Sequence, residues 1–125
     1  MSTQELTPYR GKNYIAGRWQ MATGRSFISE NPATGEVVWK GNTSSPSDVE
    51  ASILAAQSAA NDWGFRRHQE RVDIVEAFQE QLIKQQEDLA VAISREVGKP
   101  AWEARTEVQA MIGKIPVSVR ALQQR

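Results

Sequence analysis

The sequence predicts an α/β segment in which short antiparallel β-hairpins precede about four helices, incomplete as given. Three observations carry this. Turn residues and β-prone runs alternate over residues 1–45, which hold five of the eight glycines. Beyond residue 45, apolar residues recur at three- and four-residue spacing, the period of a helix and not of a strand. Helix start and stop signals punctuate that second stretch. The chain accordingly divides into a β-hairpin segment, 1–45, and a helical segment, 46–125. No internal repeat or low-complexity tract interrupts either part.

The first hairpin is expected at Tyr14-Ile15-Ala16-Gly17-Arg18-Trp19, because Gly17 can take the positive φ that a two-residue turn demands. Ser26-Phe27-Ile28 and Val37-Val38-Trp39 are the next β-prone runs. Between them, Pro32 presets φ for the second position of a turn and Gly35 can close it in the left-handed region. Ser45-Pro46-Ser47-Asp48 then reads as a helix start, with Ser45 as N-cap, Pro46 at the first helical position and Asp48 reaching back as in a capping box. Val49, Ile53, Ala56, Ala60 and Trp63 form the apolar stripe of that helix, and Gly64 is expected to end it. A second helix from about Gln69 places Val72, Val75, Leu82 and Ile83 inward. Leu89, Ala92 and Ile93 mark a third, stopped by Gly98 with Pro100 beyond. A fourth begins near Pro100 and carries Trp102, Val108, Met111, Ile112 and Ile115, with Pro116 expected to kink or stop it. Four one-sided helices after two small hairpins lack a partner, so the chain reads as cut in mid-structure.

Composition narrows the chemistry. Lys plus Arg and Asp plus Glu both number 15, so the formal net charge is zero, which argues against a general nucleic-acid or anionic-membrane binder. The sequence has no cysteine and one histidine, His68. A thiol nucleophile, a disulfide framework and a Cys- or His-rich metal site are thereby excluded. The longest apolar run, Leu89 to Ile93, is far short of the ~20 residues of a membrane span. The first ten residues show no apolar signal core, and a soluble, cytoplasmic chain is expected.

No local motif completes an active site. Gly98-Lys99-Pro100 lacks the earlier glycine and the following Ser or Thr of a phosphate loop, so it reads as a helix C-cap. No G-x-G-x-x-G occurs. His68 lies in a polar helix start and reads as a surface histidine, with no Ser-His-Asp arrangement around it. Glu103 and Glu107 share a helix face; paired carboxylates can do acid–base work or hold a cation, but a solvated surface is the simpler reading. The four tryptophans, Trp19, Trp39, Trp63 and Trp102, read as core or edge packing and not as base-stacking platforms. No catalytic, cofactor-binding or metal-binding residue is assigned.

Three segments in order nevertheless resemble a known family. Tyr14-Ile15-Ala16-Gly17-Arg18-Trp19, Asn31-Pro32-Ala33-Thr34-Gly35-Glu36 and Glu96-Val97-Gly98-Lys99-Pro100 look like the "I-N-G-x-W" hairpin, "N-P-x-T-G-E" turn and "E-x-G-K-P" helix end of the N-terminal portion of NAD(P)-dependent aldehyde dehydrogenases. Gly35 to Asn42, Gly98 to Ala104 and Thr106 to Ile115 are most similar to the branch that acts on N-succinylglutamate 5-semialdehyde. The resemblance implies the N-terminal part of that fold, with residues 46–125 covering the NAD-binding domain of the complete enzyme. It implies oxidation of an aldehyde to a carboxylate with NAD, through a cysteine thiolate, oxyanion donors and a water-activating glutamate. For this branch the product is N-succinylglutamate, in the succinyl-transfer route of arginine breakdown. None of those catalytic groups lies on a motif of this chain. The implied partners are the remainder of a dehydrogenase chain, a small-molecule aldehyde and, when complete, further copies in a homo-oligomer. Another semialdehyde substrate within the family, and a truncated non-catalytic helical interaction module, are the competing expectations.

Overall fold

The computed structural model describes residues 11–124. The signal-core reading of the first ten residues lies outside the described residues. Two compact units divide between Phe65 and Arg66.

The first unit opens with β1 (Lys12–Ile15) and β2 (Arg18–Met21), paired antiparallel with Tyr14 opposite Trp19 and Ile15 opposite Arg18. Their two-residue loop has φ 50° at Ala16 and 77° at Gly17. Positive φ at both central residues is the type I′ turn, whose twist matches that of the strands. The rings of Tyr14 and Trp19 lie 4.9 Å apart across the pair. A second two-stranded sheet pairs β3 (Ser26–Glu30) with β4 (Val37–Asn42), with a register shift at Ser29/Glu30. The connecting turn is held by Asn31: its carbonyl accepts from Thr34 (3.2 Å) and Gly35 (2.7 Å), and its side chain accepts from the Ala33 N–H. Both expected hairpins are present. Phe27 and Trp39 pack with ring centroids 5.3 Å apart.

Helix α1 (Pro46–Phe65) starts at the expected residue and continues through Gly64. It packs against β1 yet buries none of its residues. The predicted stripe of Val49, Ile53 and Trp63 is exposed, as are Leu54 and Phe65.

The second unit is three helices, α2 (His68–Lys84), α3 (Gln86–Val97) and α4 (Ala101–Gln123). Helix α4 packs against both of the others. Its buried residues, Ala104, Val108, Ile112 and Ile115, follow a four-four-three spacing and make one stripe. Leu82 from α2 and Ala90 from α3 complete the cluster, with Val75, Leu89 and Ile93 packed against it. Ala90 was not among the expected inward residues.

Three expected inward side chains turn out instead. Ile83 sits one residue, about 100°, beyond Leu82; α2 turns its 72, 75, 79, 82 stripe inward, with Val72 and Leu82 buried and Val75 and Gln79 half-buried, and Ile83 faces outward. Trp102 precedes Ala104 by two residues and is 67% exposed. Met111, next to Ile112, is 42% exposed. In each case the spacing admitted the residue, and its angle from the buried stripe removed it.

Pro116 neither stops nor ends α4, which runs seven residues further to Gln123. Proline deprives the carbonyl four residues earlier, that of Ile112, of its helical donor. In this fold Gln79 of α2 fills that role: its Nε2 donates to the Ile112 carbonyl at 3.0 Å. Gln79 occupies the polar position in an otherwise apolar inner stripe of α2. The chemistry also settles its amide orientation, because a carbonyl accepts only from the nitrogen.

Replacing Ile112 by Ala is expected to destabilise the chain by about 2–5 kcal/mol, and Trp102→Ala by no more than about 0.5 kcal/mol, in urea denaturation of the two variants. A non-glycine residue at φ 50° carries a conformational cost. Ala16→Asn, which tolerates the left-handed region, should therefore stabilise the hairpin by about 1 kcal/mol, read from the same experiment.

Candidate functional site

Among the polar and charged clusters, two carry shifted ionisable groups, each inside one unit. The first is the start of α1. Ser45 and Asp48 form the expected reciprocal box: the Ser45 N–H donates to Asp48 Oδ2 at 2.9 Å, and the Asp48 N–H donates to Ser45 Oγ at 3.2 Å. The structure adds Thr23, whose N–H (2.8 Å) and hydroxyl (2.9 Å) both donate to the same carboxylate oxygen. Thr23 lies 25 residues away, so no local sequence signal could have paired it with Asp48. The Thr23 N–H, then that of Ser45, hold the Asp48 carboxyl below its ordinary 3.8. This carboxylate is engaged by the fold's own donors.

The second place is the α3–α4 junction. Gly98 ends α3 in the left-handed region (φ 72°), with its N–H donating to the Ser94 carbonyl at 2.9 Å. This is the C-cap read from the sequence, not a phosphate loop. Pro100 precedes the first turn of α4. Lys99, between them, is 17% exposed along its side chain. Its ammonium reaches Glu103 at 3.4 Å and also pairs with Glu107. Ser94 Oγ donates to the Lys99 carbonyl at 2.7 Å. One residue thus ties the end of α3 to the first two turns of α4. The hydrogen bond to Glu107 is the largest of the effects that push the Lys99 ammonium above its ordinary 10.5. Glu103 and Glu107 do share a helix face, as their spacing predicts, and the cation between them is the protein's own lysine. The spacing of Lys99 four residues before Glu103 is the local signal for this pairing.

His68 is exposed at the start of α2. Trp19 and Trp39 pack on rings of the hairpins, and Trp19, Trp63 and Trp102 are exposed. Among the described residues no three His, Asp or Glu side chains are grouped to hold a metal ion, and no helix is long and apolar enough to cross a membrane.

A nicotinamide dinucleotide needs a strand leading through a glycine turn into a helix N-terminus that receives the pyrophosphate. The described residues do not fit that group. Both sheets are two-stranded and antiparallel. Gly17 and Gly35 take positive φ in hairpin turns, and Gly98 does so at a helix C-terminus, where the dipole is negative.

The arrangement of hairpins and helices has close counterparts. The model of the aldehyde dehydrogenase family matches residues 19–125, and the chain belongs to that family. It is 42% identical over 112 residues to an N-succinylglutamate 5-semialdehyde dehydrogenase of Burkholderia multivorans, covering 90% of this chain and 23% of the relative. In structure it matches a Pseudomonas syringae aldehyde dehydrogenase C variant complexed with NAD+ and octanal, with a TM-score of 0.85, 31% identity, and coverage of 91% of this chain and 24% of that one. It also matches a succinate-semialdehyde dehydrogenase from Burkholderia pseudomallei, with a TM-score of 0.76, 32% identity, and coverage of 87% and 22%. The chain therefore spans about a quarter of the length of the relatives it matches, and its architecture is part of the aldehyde dehydrogenase fold.

The two ionic contacts have opposite pH windows. Asp48→Ala should lower the melting temperature at pH 7, and the gap to the parent should close as pH falls below 3.8 through the depressed folded value. Lys99→Met should also lower it, with a gap that is constant from about pH 7 to 9. That gap should disappear only as pH rises beyond 10.5 through the raised folded value. Thermal melts across pH check both.

Proposed function

We propose that the chain forms part of an NAD-dependent aldehyde dehydrogenase that oxidises N-succinyl-L-glutamate 5-semialdehyde to N-succinyl-L-glutamate in the succinyl-transfer route of arginine breakdown. The 42% identity to a relative of that name over 112 residues carries the reading. The contribution of these residues is architectural. The chain has no cysteine, so the thiolate that such chemistry requires belongs to sequence beyond these 125 residues, and so do the oxyanion donors and the nucleotide cradle.

The fold supports a covering role. A 20-residue helix that buries nothing, with Val49, Ile53, Leu54 and Trp63 exposed, has an apolar face suited to packing against a larger body. In this reading residues 46–125 cover the NAD-binding domain, and the completed chain assembles into a homo-oligomer in the cytoplasm. A second substrate reading, succinate semialdehyde, is favoured by the Burkholderia pseudomallei structure at 32% identity.

A dehydrogenase containing this segment, assayed for NADH formation, should turn over N-succinylglutamate 5-semialdehyde with a kcat/KM at least about tenfold above that for succinate semialdehyde. The reverse order would assign the second substrate. The 125-residue chain alone should form no NADH with either aldehyde, and turnover by it would overturn the architectural reading.

A further inference from the structure

We propose that Gln79 and Pro116 form a latched hinge in α4, in which one side chain from α2 sets the path of the last two turns of that helix. The inference rests on a coincidence of positions. Of all the carbonyls along α4, the one orphaned by Pro116 is that of Ile112, and it is this carbonyl that the Gln79 amide reaches at 3.0 Å. Ile112 belongs to the buried stripe, and its carbonyl is half-shielded where Gln79 reaches it.

With the latch closed, the Ile112 carbonyl is satisfied and α4 continues as helix to Gln123. With the latch open, the same carbonyl gains by tilting toward solvent, and a helix bends where a proline interrupts its ladder. Residues 117–123 have little packing to oppose such a bend. Val117 and Leu122 are exposed, and none of the residues after Ile115 is buried. The part of α4 before the proline is held differently, by its buried stripe. The hinge therefore separates an anchored half from a half whose direction depends on a single hydrogen bond.

Amide hydrogen exchange of the full chain tests this. Gln79→Leu, apolar and without a donor, should speed exchange of the amides of residues 117–123 about tenfold, the scale of one lost hydrogen bond. Amides between Ala104 and Met111 should keep their rates. In a Pro116→Ala background the helix regains its own donor, and Gln79→Leu should change nothing. If Gln79→Leu alone fails to fold while the double variant folds, the latch stands. Equal effects with and without the proline, uniform acceleration along α4, no effect at all, or a double variant that also fails to fold would each overturn it.

Discussion

The stripe of Ala104, Val108, Ile112 and Ile115 on α4 is the constraint on which the helical unit depends. Ala104 of α4 and Ala90 of α3 are almost fully buried in the same cluster. Val108 is packed almost without exposure, and Leu82 closes the cluster from α2. Each of the other features of this unit follows from keeping that stripe in register. The glycine cap stops α3 where the chain must turn. Lys99 fixes the first two turns of α4 against the end of α3. Gln79 gives up an apolar position so that the helix can pass a proline.

Polar and apolar contacts divide the work by location. Among the described residues no polar or charged side chain is buried. Ion pairs and capping bonds sit instead at helix starts, helix ends and turns, where backbone groups would otherwise lack partners. Asp48 with Ser45 and Thr23, Lys99 with Glu103 and Glu107, and Asn31 within its own turn are all of this kind. Such contacts lie at or near the surface and are individually modest, but they decide where elements begin and stop. The apolar stripe decides what touches what.

The functional reading joins these facts to family membership. Residues that support a larger enzyme are recognised by packing and by turn geometry, and the motifs shared with the family are of that type: a hairpin turn, an Asn-Pro turn and a helix cap. The exposed apolar face of α1 is the observation that the proposed covering role rests on.

The hairpins, the four helices and most of their boundaries were readable from the residues, because turns and caps are local: Gly17, Pro32, Gly35, Ser45, Pro46, Asp48 and Gly98 each act within a few residues. The family was readable for the same reason, since its motifs are runs of such signals. Sequence periodicity could also name a face of each helix, though not its centre, so Ile83, Trp102 and Met111 were assigned inward when the packed partner lay about 100° or more away. The remaining decisions were tertiary. The Thr23 bonds to Asp48 span 25 residues, and the Gln79 bond to Ile112 spans 33. Nothing local distinguishes that glutamine from any surface glutamine. The partner of the carbonyl that Pro116 strands likewise comes from outside its own helix, since Gln79 of α2 donates to it.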